Sequence, residues 1–164
     1  MQKLRITAVN VCRFVLAATF IFSGYVKAID PLGTLYKLKD YAAAMSLNGL
    51  LPDWVLVGVA IALGALEFAL GVFMLFAVRR HVVSRITLAF MTAMTVLTLW
   101  IFVADPVKDC GCFGDALKLT NGETLLKNIV LIACAALVAW RPAEMARFIS
   151  RSNQWIVRYY TVAY

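Results

Sequence analysis

The sequence predicts an all-α polytopic membrane protein, a bundle of four transmembrane helices. Three observations carry this. Of the 164 residues, 63% are apolar and only 15% are charged, with a mean hydropathy of +0.83. Soluble domains have about half their residues apolar and about a quarter charged. The apolar residues fall into four runs, each close to the roughly 20 residues that cross a hydrocarbon core about 30 Å thick. The basic residues, which give a formal charge of +7, cluster between those runs. That placement is the signature of membrane orientation, so nucleic acid is not an expected partner and membrane lipid is.

The runs cover about residues 14–29, 55–78, 86–104 and 124–140. The first competes with a cleaved signal peptide, but Val26-Lys27-Ala28 is a poor small-residue cleavage site, and a retained helix is expected. The fourth is interrupted by Lys127 and Asn128. Thr120 with Glu123 three residues later has the spacing of a capping box, which would start that helix. Residues 1–152 are thus expected to form one transmembrane domain. The tail, 153–164 (NQWIVRYYTVAY), is half-apolar and aromatic. It reads either as an interfacial helix or as the start of a truncated fifth span.

Lys3, Arg5, Arg13, Arg79, Arg80, Arg85, Arg141, Arg147, Arg151 and Arg158 all fall on one side of this topology. The other side holds most of the acids. By the positive-inside rule the N-terminus and residues 141–152 are cytoplasmic, as expected in a bacterial inner membrane. Two loops then face outward. Residues 30–53 contain Tyr41, Met45, Leu47, Leu50 and Leu51, consistent with a short helix lying on the bundle. Residues 105–123 carry Cys110-Gly111-Cys112-Phe113-Gly114-Asp115.

Helical spacing puts Ala60, Gly64, Glu67 and Gly71 on one face of the second span, a small-residue packing face that turns Glu67 inward. The same spacing aligns Thr19, Ser23, Lys27 and Asp30 in the first, and Thr87, Met91, Thr95 and Thr98 in the third. In the fourth it aligns Asn128, Ile132, Ala135 and Ala139, beside Lys127. At 1.5 Å per residue, Lys27 and Lys127 lie about 21 Å above Arg13 and Arg141, and Glu67 about 18 Å above Arg79. The three therefore share one layer. It reads either as a clamp between helices or as a proton or quinone-headgroup site.

Cys110 and Cys112 are predicted outside the cytoplasm, where disulfides persist. A pair one residue apart closes only a small, strained ring, and strained disulfides are the readily reduced ones. A structural staple gains by closing a long loop, which this pair does not. An exchangeable pair is the first reading, with Lys108 beside it favouring the thiolate. Bonding elsewhere and binding of a soft metal such as Cu(I) are the alternatives. Cys12 and Cys134 are poorly placed for the first. No Met or His cluster adjoins the loop for the second, so no metal site is expected.

The run Cys110-Gly111-Cys112-Phe113-Gly114 before a final helix resembles the MauE-type, DoxX-like membrane proteins. Phe22-Ser23-Gly24-Tyr25-Val26-Lys27 with Asp30-Pro31 is similar to that family's first helix, and Glu67 with Gly71 to its second. The resemblance spans about residues 10–142. It implies a four-helix redox-associated protein in which Cys110 and Cys112 are the redox pair. It also implies a link to disulfide formation in exported partners or to quinone-reducing systems. No haem or flavin motif is visible, and a quinone enters only through the resemblance.

These readings converge on an inner-membrane thiol–disulfide redox protein, a possible oxidoreductase or membrane subunit of one. It would exchange electrons between periplasmic protein thiols and a quinone or a thioredoxin-like protein through Cys110 and Cys112. Lys108, Phe113 and Asp115 would support the loop. The rival is a non-catalytic anchor or assembly subunit of a larger envelope complex.

Overall fold

The computed structural model describes residues 2–44, 52–104, 120–146, 148 and 153–163. Among them are six α-helices and no strand: α1 (Gln2–Ile29), α2 (Pro31–Ala44), α3 (Asp53–Leu75), α4 (Arg80–Ala104), α5 (Asn121–Trp140) and α6 (Gln154–Ala163). Four of these, α1, α3, α4 and α5, are long and apolar enough to cross a membrane. The chain is an all-α, multi-pass membrane bundle.

Helix α1 starts at Gln2, ahead of the apolar run at about 14–29, and its 28 residues run about 42 Å. Its first turns, with Lys3 and Arg5, lie outside that run. They are helical because the base of the bundle holds them. Val9 and Arg13 are fully buried, and Asn10 and Arg13 bond to the chain that follows α5. The Asn10 side chain donates to the Glu144 carbonyl at 3.2 Å and accepts from the Ala146 amide at 2.9 Å. The Arg13 guanidinium donates to the Ala146 carbonyl, and Arg80 donates to that of Ala143 at 2.7 Å. Arg5 pairs with Glu144 at 2.8 Å. Met145 is buried beneath this clamp.

The first outward-expected loop contains α2. Asp30 accepts from the Gly33 amide at 2.8 Å, and Pro31 occupies the first helical position, where its missing N–H costs nothing. Lys39 pairs with Asp53 at 2.9 Å, tying α2 to the start of α3. Met45, Leu47, Leu50 and Leu51 lie outside the described residues.

Packing of α1 on α3 sets the centre of the bundle. The buried face of α3 includes Ala60, Gly64, Glu67 and Gly71. A methyl group at Gly24 would come within 2.5 Å of the Phe68 backbone nitrogen, and one at Gly71 within 2.7 Å of that of Ile21. Only glycine allows the two backbones this approach, the close-contact mode expected where lipid supplies no hydrophobic drive between helices. On the other side α4 packs on α5, and α5 completes the ring against α1. Thr120 and Glu123 form both halves of a capping box at the start of α5. At the opposite end α3 passes to α4 through a tight turn in which Ala77 and Arg79 take left-handed φ of 51° and 40°.

Candidate functional site

The glycine-mediated approach of α1 and α3 places Lys27 against Glu67. A methyl at Gly64 would sit 3.1 Å from the Lys27 Cβ. The Lys27 ammonium donates to Glu67 Oε2 at 2.7 Å and to Ser23 Oγ at 2.7 Å. Both charged residues are buried, Lys27 4% and Glu67 5% exposed. Two ions at this depth are tolerable only because each neutralises the other and their hydrogen bonds are satisfied.

The pair faces a cavity of about 270 Å³. Lys127 and Asn128 of α5 line the same cavity, so all three residues of the sequence-derived charged layer meet there. Asn128 donates to Thr98 Oγ1 of α4 at 3.1 Å, closing the α4–α5 wall with a polar link. The apolar lining includes Phe20, Phe90, Met91, Met94 and Leu131. Phe20 and Phe90 meet edge to face, centroids 5.4 Å apart. Apolar walls with a few convergent polar groups are the usual make-up of a small-molecule site.

Helix α2 supplies a wall that the sequence reading did not assign. Thr34, Lys37, Leu38 and Tyr41 all line the cavity, and their i, i+3, i+4, i+7 spacing is a helix face visible in the sequence.

Cys110, Cys112, Lys108, Phe113 and Asp115 lie outside the described residues. Their loop leaves α4 at Ala104 and rejoins at Thr120. By helix rise, Leu97 and Lys127 of the cavity lie only about 10 Å below those two points. The loop is therefore anchored at the cavity's end of the bundle.

The other two cysteines are nearer each other than their sequence positions suggested. Cys12 of α1 and Cys134 of α5 are free thiols, packed on the same apolar core. Among the described residues no group of His, Cys, Asp and Glu has the make-up of a metal site.

Comparison with curated proteins and with solved structures gives no match. A protein-family profile does match: that of the methylamine utilisation protein MauE, over residues 5–141, which takes in all four long helices and the Cys-Gly-Cys loop. The chain belongs to the MauE family of membrane proteins.

Proposed function

We propose that this chain is an inner-membrane thiol–disulfide redox protein that passes electrons between a protein thiol pair and a membrane quinone. Cys110 and Cys112 are the exchanging pair, on the periplasmic side, with the N-terminus cytoplasmic. In the oxidising direction a partner's thiolate attacks the Cys110–Cys112 disulfide. The second partner thiol then resolves the mixed disulfide. The partner leaves as a disulfide and the loop as a dithiol. The dithiol next gives two electrons and two protons to the quinone, regenerating the disulfide and releasing quinol. The partner is an exported protein or a thioredoxin-like protein.

The observation that carries this reading is the amphipathic cavity at the loop's end of the bundle. A quinone head is a flat apolar ring with polar oxygens, and the cavity offers aromatic and thioether walls beside a lysine and an amide. Its volume suits a head group and the first part of a tail. Lys27 is positioned to stabilise negative charge developing on a quinone oxygen, and Glu67 holds that ammonium in place.

The rival, a scaffold in which Lys27–Glu67 only clamps α1 to α3, draws on the burial of that pair. A trapping experiment separates the two. Cys112→Ser leaves Cys110 unable to complete the cycle, so a mixed disulfide with the partner should accumulate in native cells. It should run as a higher-mass band without reductant and collapse with dithiothreitol. It should be absent from the double Cys110→Ser, Cys112→Ser variant. If neither single variant gives an adduct and the double variant supports normal partner oxidation, the scaffold reading replaces the redox one.

A further inference from the structure

Helical threonines inside apolar surroundings ordinarily satisfy their hydroxyl on the carbonyl one turn back. Six threonines here do so: Thr7, Thr19, Thr92, Thr95, Thr98 and Thr161 bond to Lys3, Val15, Leu88, Met91, Met94 and Val157 at 2.7–3.0 Å. Thr34 does not. It is 5% exposed, its Oγ1 has no hydrogen-bond partner, and it lines the cavity. Thr87 is the other buried threonine with an unpartnered hydroxyl, but it is not part of that lining.

A buried hydroxyl left without a partner costs about 1–3 kcal/mol, so its retention beside a cavity calls for a ligand group. From this we infer that Thr34 is a second polar anchor for the cavity's ligand, donating to an oxygen of its ring. The inference rests on the quinone reading above and extends it. A quinone carries oxygens at both ends of its ring, so a site made for it needs donors from two elements. Lys27 of α1 and Asn128 of α5 are donors on this cavity. Thr34 comes from α2, which packs on α1 and α3, so α2 forms a different wall of the same cavity. Its face is fixed from both ends, by the Asp30 cap and by the Lys39–Asp53 pair. In this arrangement α2 is a binding element rather than a covering loop.

The test uses the full chain in nanodiscs and a short-tailed benzoquinone, with binding read by quenching of tryptophan fluorescence and stability by thermal unfolding without ligand. Thr34→Val keeps the shape and removes the hydroxyl; Thr34→Ser keeps the hydroxyl. The valine variant should bind roughly three- to tenfold more weakly, the loss expected for one neutral hydrogen bond. Its ligand-free melting temperature should stay level or rise, because an unsatisfied buried group has been removed. The serine variant should bind within about twofold of the parent. Equal binding by parent and valine variant overturns the role of Thr34 and leaves the quinone reading standing. A lower ligand-free melting temperature in the valine variant also overturns it, since the hydroxyl would then serve the fold. Absence of binding by the parent overturns both.

Discussion

The base of the bundle and the charged layer near its other end both bury polar side chains, and they do so by opposite means. At the base, Asn10, Arg13 and Arg80 each direct a donor to main-chain carbonyls of residues 143–146. Arg13 also stacks on Phe14 and Phe148, 4.6 and 5.1 Å from the ring centroids. The planar, weakly hydrated guanidinium suits that task. In the upper layer, Lys27, Glu67 and Lys127 meet around a cavity. There the cation is lysine, a compact point charge, and its strongest partner is a single carboxylate. The contrast separates a fastening from a candidate site. Polar groups at the base close a seam between chain segments, whereas those in the upper layer are arranged around a space.

If that contrast is right, disturbing the upper layer costs far more than disturbing the base. Glu67→Gln and Lys27→Met each strand a charge at membrane depth and should each destabilise by about 3–5 kcal/mol, the range for broken buried pairs. The double substitution should cost less than the sum of the two, since it strands neither partner. Unfolding in detergent followed by tryptophan fluorescence reads all three. Strict additivity would show that the two side chains act independently, and the layer would lose its centre.

The base should give way more gently. Asn10→Ala removes one donor and one acceptor from a partly buried seam and should cost about 1–2 kcal/mol. Neighbouring contacts by Arg5, Arg13 and Arg80 keep the segment seated, so quinone binding should be unchanged. A loss at the base as large as that for Glu67→Gln would erase the distinction between the two regions.

The sequence made one of these regions much more legible than the other. Glu67 could be turned inward because Ala60, Gly64 and Gly71 mark its face at helical spacing, and a carboxyl cannot face lipid. Lys27 and Lys127 could be placed at matching depth from the rise of a helix and the arginines that mark its end. The capping box at Thr120 is local and readable from four residues. The clamp at the base was not legible, because its acceptors are backbone carbonyls, which carry no residue identity. Its arginines were read only as signals of topology and depth. That Cys12 and Cys134 pack on one core depends on the relative register of α1 and α5, which no intrahelical period specifies. The cavity-facing side of α2 was available at 34, 37, 38 and 41. It was passed over because a segment between spans is ordinarily read as surface.

If a dithiol in this chain reduces a membrane quinone, quinol yield measures it most directly. The full chain is reduced, freed of reductant, placed in nanodiscs and mixed with an excess of a short-tailed benzoquinone, with quinol read by absorbance and thiols by mass. One quinol per chain should form as Cys110 and Cys112 become a disulfide, and the Cys110→Ser, Cys112→Ser double variant should form none. A quinol yield that survives this double substitution, or a reduced parent that forms none while binding the quinone, would contradict the account.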